Sequence, residues 1–265
     1  MNITRWMGAA ATFLFGAALW TGTAQAQVTQ AELARIIAEG GSYDRFAAAQ
    51  KVLEMGPRNA SPALRDALVR AFTDEAEAFR AYRRGEAPPP DLDAIGAMAM
   101  VVSEFGDSRA FEPMIATLAV AMGSVRGLAA IGDPAVGPLV DIARAGGPEE
   151  MMRAFLTLRL LAEGVGRIPL SSSSREELIA VASERLAPGP SYGAVLEWAI
   201  DLAAVLDDPG LRETLETMAA DPTAVEARLV NPEAERVSRI QHRASERLRG
   251  VPPRPTWIAL SSRFR

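Results

Sequence analysis

The run Val125-Arg126-Gly127-Leu128-Ala129-Ala130-Ile131-Gly132-Asp133, followed by Ala135-Val136-Gly137-Pro138-Leu139-Val140, decides how the chain is read. It holds an apolar stretch with helical spacing, a glycine–aspartate stop, and a second stretch whose apolar residues again fall on a helical period. Glycine closes a helix because it accepts the left-handed conformation without a Cβ penalty. The aspartate can hold the first free amides of the next helix, and a proline beside it loses nothing by lacking an N–H there. Two helices joined by a tight turn are therefore expected here.

The same punctuation recurs on both sides. Ala49-Gln50-Lys51-Val52-Leu53-Glu54-Met55-Gly56 leads into Ser61-Pro62-Ala63-Leu64-Arg65-Asp66-Ala67-Leu68. Val101-Val102-Ser103-Glu104-Phe105-Gly106-Asp107 leads into Ala110-Phe111-Glu112-Pro113-Met114, and Ala203-Ala204-Val205-Leu206-Asp207-Asp208 into Leu211-Arg212-Glu213-Thr214-Leu215. Cap-and-proline pairs stand at Ser61-Pro62, Asp133-Pro134, Asp208-Pro209, Asp221-Pro222 and Asn231-Pro232. Ala, Leu, Glu, Arg and Met fill the intervening windows, and alternating β-branched runs are missing. Helices are expected near 30–39, 43–55, 62–84, 91–105, 108–121, 124–131, 134–145, 148–163, 175–187, 191–206, 209–220 and 232–249. Neither Ala94 to Val102 nor Met114 to Val125 carries a charge, so the helices there must be covered on several sides.

These units resemble HEAT repeats, in particular the short variety found in phycobilisome-lyase-type proteins, with the pattern L-x-x-I/L-G-D-x-x-A-x-x-x-L. The resemblance spans roughly residues 43 to 220, and the unit around Gly132 matches best. It implies an all-α fold in which antiparallel helix pairs stack as an irregular α-solenoid. A compact helical bundle is the alternative architecture. The interval from Gly56 to Gly106 is longer than the others, because it holds the helix at 62–84 and the loop with Pro88-Pro89-Pro90.

The N-terminus reads as an address. Arg5 follows Met1 to Thr4, residues 6–20 carry no charge, and Ala24-Gln25-Ala26 fits a signal-peptidase site, so residues 1–26 are expected to be a cleaved secretory signal. The run is shorter than the roughly 20 apolar residues of a spanning helix, so no stable membrane insertion is expected after cleavage. That places the protein in the periplasm or outside the cell, with a repeat domain over 27–250 and a tail over 251–265. The chain has no cysteine, which removes disulfides, thiol catalysis and thiolate metal sites. With 28 Lys plus Arg against 33 Asp plus Glu there is no basic stripe for a nucleic acid.

Chemistry-bearing patterns are sparse. Gly189-Pro190-Ser191-Tyr192-Gly193 fits G-x-S-x-G, and Asp201 and His242 follow in hydrolase order. That motif works on a strand-to-helix elbow, whereas helix is expected before it, so Ser191 is read as a helix cap. His242 is the only histidine and is expected to face solvent; a typical zinc site cannot be assembled from it. The acidic pairs Asp91/Asp93, Glu149/Glu150, Glu176/Glu177 and Asp207/Asp208 are assigned to helix starts, and Ser174 with Glu177 to a capping box. No cofactor is expected.

The expected function is therefore that of a non-enzymatic binding or scaffold protein engaging a protein or peptide partner. The resemblance implies that the second helix of each pair lines the binding surface. That nominates Arg65, Arg70, Arg109, Glu112, Asp141, Arg144 and Arg212 as partner-binding residues. A serine hydrolase at Ser191, a HEAT-type lyase acting on a tetrapyrrole, and a purely structural subunit of an envelope complex are the alternatives.

Overall fold

The computed structural model describes residues 28–252. The expected signal over 1–26 and the expected tail beyond Pro252 lie outside those residues. Thirteen α-helices are present among the described residues: α1 (Gln30–Glu39), α2 (Ser42–Met55), α3 (Pro62–Arg83), α4 (Leu92–Val102), α5 (Phe111–Ala116), α6 (Met122–Ile131), α7 (Val136–Ala145), α8 (Pro148–Ala162), α9 (Ser172–Leu186), α10 (Gly193–Leu206), α11 (Pro209–Ala220), α12 (Pro222–Glu226) and α13 (Ala234–Leu248). Single 3-10 turns precede α3, α5 and α7. The only β-type pairings among the described residues are two isolated parallel bridges, so the fold is all-helical. No described helix is long and apolar enough to cross a membrane.

Local chemistry sets most of the boundaries. Ser61 Oγ accepts from the Leu64 amide, Asp91 Oδ1 from Asp93 and Ala94, and Asp208 Oδ1 from Gly210 and Leu211. Each pairs amides that the first helical turn leaves free. Several starts differ from expectation. Ser171, not Ser174, caps α9, and it accepts from the Ser174 amide at 3.2 Å. Glu176 and Glu177 consequently sit inside α9, beyond its first turn. Asp207 adopts a left-handed conformation at the end of α10, so only Asp208 of that pair starts a helix. The last helix begins at Ala234 instead of at Pro232, and the short α12 was not anticipated.

The largest departure is at 108–121, expected as one helix. It is a 3-10 turn followed by the six-residue α5, which ends where Thr117 Oγ1 turns back to the Pro113 carbonyl at 2.8 Å and meets Ser124 Oγ at 2.8 Å. Both hydroxyls are buried, so this mutual bond satisfies groups that would otherwise be costly there.

The helices form two rows. In one, α2, α4, α6, α8 and α10 pack each against the next, and α13 closes the end against α10. In the other, α1 packs on α3 and α3 on α5, then α7 on α9 and α9 on α11. Cross-row contacts such as α3 on α4, α5 on α6 and α7 on α8 join them. The inner positions of the first row have neighbours on several sides, which is why α8 is buried almost without a break from Ala154 to Leu161. Its partners keep a solvent face and are amphipathic. The second row is interrupted: α5 is too short to engage α7 substantially.

Candidate functional site

That interruption leaves a cavity of about 470 Å³. Phe111 and Met114 line it from the α5 side, Ala130 and Ile131 from α6, and Arg167 and Ile168 from the loop between α8 and α9. The loop is held by backbone bonds: Arg167 N–H donates to the Ala130 carbonyl at 2.9 Å, and Asp133 N–H to the Ile168 carbonyl at 3.2 Å. Gly132, at φ 95°, makes this approach possible, since a Cβ there would overlap the Ile168 backbone. Asp133 also accepts from the amide of Ser171 at 2.8 Å, which ties the far end of the loop to the start of α7. Hydrogen bonds from Ser171 and Ser174 hold the Asp133 carboxyl below the usual carboxylate range. Ile168, about half exposed, is part of the lining.

The polar side of this cavity is asymmetric. Asp107 is engaged by Arg109 through Nε at 3.1 Å and Nη2 at 2.7 Å, and this hydrogen bonding lowers its pKa despite partial burial. The Arg167 guanidinium instead lies against Gly106 and forms no ion pair with any described residue. It was not singled out from the sequence. Gly166 packs on Gly132, marking the loop that carries Arg167.

The seven nominated residues all lie on the interrupted row or at its edges, and most are already satisfied within the chain. Arg65 donates to the carbonyls of Ala60 and Arg58, with its guanidinium 5.4 Å from the Phe105 ring centre. Arg70 and Arg109 share Asp66. Glu112 meets Arg80 at 3.7 Å, and Arg212 meets Asp207 and Glu216. Arg144 clasps Glu184 with two bonds of 2.8 Å. Asp141 is exposed. The structure thus brings Arg70 and Arg109 together and leaves the others spread along the row.

The hydrolase candidates are not assembled. Ser191 Oγ has no hydrogen-bond partner among the described residues, and Ser191 does not cap α10, whose N-cap is Tyr192. His242 Nε2 lies 3.3 Å from Glu246 on its own helix and is exposed. Asp201 is fully buried and belongs to a different constellation. Arg243 reaches its two oxygens at 3.0 and 2.7 Å, Arg247 donates at 2.7 Å, and Arg159 stands 3.7 Å away. Trp198 lies between Arg159 and Arg243, 5.8 and 5.5 Å from its ring centre. Burial works against the charged Arg243, but the bonds it donates to Asp201 prevail and its pKa is raised. Among the described residues no three His, Cys, Asp or Glu side chains form a cluster able to hold a metal.

Comparison with known proteins adds no relative. No family model matches the chain, and no curated protein and no solved structure matches it.

Proposed function

We propose that this chain is an exported, non-enzymatic binding or scaffold protein, an irregular HEAT-like α-solenoid that takes a protein or peptide partner across its interrupted row. The repeat reading draws support from the contact pattern, in which each helix packs mainly on elements close to it in sequence, as stacked repeats do and a compact bundle need not. The non-enzymatic reading draws support from the dispersal of Ser191, Asp201 and His242: arginines occupy Asp201, and His242 lies beside Glu246 on its own helix. The observation that carries the binding proposal is the cavity beside α5: an apolar floor, exposed Ile168 in its lining, and the Arg167 guanidinium, which has no counter-charge among the described residues. Apolar patches of this kind mark contact sites on soluble proteins. The chemistry selects a partner segment that inserts one apolar side chain and sets a carboxylate beside Arg167.

Selection from a random peptide library on the full chain tests this. The expected outcome is enrichment of peptides with an aliphatic or aromatic residue next to Asp or Glu. Arg167→Glu should weaken them by about tenfold or more, the equivalent of roughly 1.4 kcal/mol. Ala130→Leu, which fills the floor, should weaken them independently of salt, with far-ultraviolet circular dichroism confirming that each variant is folded. No enrichment, or binding indifferent to both substitutions, refutes the proposal.

A further inference from the structure

A second cavity, of about 370 Å³, opens at the start of α10 and is lined by Ser191, Tyr192, Gly193, Val230, Arg236 and Arg239 among others. The local fold explains its shape. Residues 189–191 run beside 227–230: Gly189 N–H donates to the Ala227 carbonyl at 2.9 Å, Ser191 N–H to Arg228 at 3.0 Å, and Val230 N–H to the Ser191 carbonyl at 3.1 Å. Arg228, itself buried, anchors the second segment to the carbonyls of Leu186 and Ala224. Both backbone groups of Ser191 are consumed by this pairing, so α10 has to begin after it.

Three features then converge. First, α10 has no side-chain cap, so the amides of its first turn, at Gly193, Ala194 and Val195, find no acceptor in a capping residue. Second, Ser191 is only 3 % exposed and lines the cavity, yet its Oγ has no hydrogen-bond partner among the described residues. A buried hydroxyl without a partner is costly and rare in a folded protein. Third, the charged residues lining the cavity are arginines. Arg236 gives one bond to the Asn231 carbonyl at 2.8 Å and lies 3.7 Å from Glu233, while Arg239 Nε donates to Glu197 at 2.9 Å. A guanidinium carries five N–H donors, so each arginine retains several for a ligand. Glycine at 193 matters as well: a Cβ there would stand 2.9 Å from Arg236 Cδ, so the helix start and the arginine stem are close.

Amides, a hydroxyl and guanidinium groups all donate, and a helix N-terminus carries partial positive charge. We propose that this cavity binds an oxyanion, a phosphate or carboxylate group, seated on the first turn of α10 with Ser191 Oγ donating to it and Arg236 and Arg239 beside it. This site is separate from the cavity beside α5 and does not depend on the partner-binding proposal. Exposed Tyr192 and Val230 at its edge give room for an apolar body attached to the anion.

Titration calorimetry on the full chain at constant ionic strength tests it with two probes, inorganic phosphate and a short apolar peptide with a free C-terminal carboxylate, the latter compared with its C-terminal amide. Saturable phosphate binding assigns the site to free oxyanions. Binding of the peptide acid with no binding of its amide assigns it to a terminal carboxylate. Ser191→Ala should weaken whichever probe binds by about fivefold, the loss of one hydrogen bond. Arg236→Gln should weaken it at least as much and flatten its salt dependence. The melting temperature of ligand-free Ser191→Ala should not fall, because the hydroxyl it removes has no partner to lose. Failure of both probes to bind overturns the proposal, as does equal binding of acid and amide, or affinity unchanged in both variants.

Discussion

Two joints of the same row are made in opposite ways. Where α6 crosses α4, Gly123 lies directly on the backbone of Ala99 and Met100, and Gly127 accommodates Met114 and Ser103, so the joint is apolar and close. Where α13 closes on α10, Asp201 is buried beneath Arg243 and Arg247, with Arg159 behind it and Glu197 binding Arg239 and Arg243 at the edge. The difference follows from position. An interior joint has protein on several sides and can be sealed by packing alone, whereas the last helix faces solvent along one flank and carries its charges there. Buried charges specify their partners strictly, because a wrong pairing strands an ion. The terminal joint therefore gains specificity of docking, and the interior joint gains tightness.

Breaking the ionic joint should have the largest effect. Asp201→Ala leaves Arg243, Arg247 and Arg159 around an empty counter-charge and should cost about 3–5 kcal/mol of folding stability. The urea midpoint measures it. A loss below about 1 kcal/mol would mean that water already screens the network, placing it with ordinary surface pairs.

The apolar joint should be less sensitive and indifferent to salt. Gly123→Ala drives a methyl into the α4 backbone and should cost about 1–3 kcal/mol. Gly137→Ala, in the first turn of α7 with open space around the added methyl, is the control and should gain less than about 1 kcal/mol from helix propensity. Equal effects at the two glycines, read from thermal melts, would show that the α4–α6 contact can relax.

The smallest effect belongs to the exposed pair between α7 and α9. The hydrogen bond from Arg144 holds the Glu184 carboxyl below its ordinary value of 4.5. A depressed carboxylate contributes stability above the unfolded-state value, and that contribution is lost as pH falls through the folded-state value. Glu184→Gln should thus be slightly less stable than the parent at neutral pH, with the difference shrinking as pH falls below 4.5, gone once pH passes the lower folded-state value, and reduced in high salt. A difference that persists in acid would assign the loss to packing instead of charge.

Much of this was legible in advance. Asp91, Ser61 and Asp208 announced helix starts, and the uncharged runs around α4 and α6 announced the covered row. The ionic joint was not read from the sequence: Arg236, Arg239, Arg243 and Arg247 recur at helical spacing, as do Glu197 and Asp201, but spacing along one helix does not name the helix opposite. The failure at 108–121 was of another kind. Pro113, Thr117 and Ser124 are compatible with helix one at a time, and the helix ends because Thr117 and Ser124 meet across a turn.

The amino-acid order by itself determined the helical class, the positions of most turns and the apolar faces, because caps, glycine stops and 3.6-residue periodicity act within a few residues of one another. Only the tertiary structure decided which helix Asp201 would lie against, that α5 would fall short of α7, and that Arg167 and Ser191 would each stand beside a cavity. Those outcomes depend on contacts between residues distant in the chain, whose energies belong to the assembled neighbourhood and to no single segment.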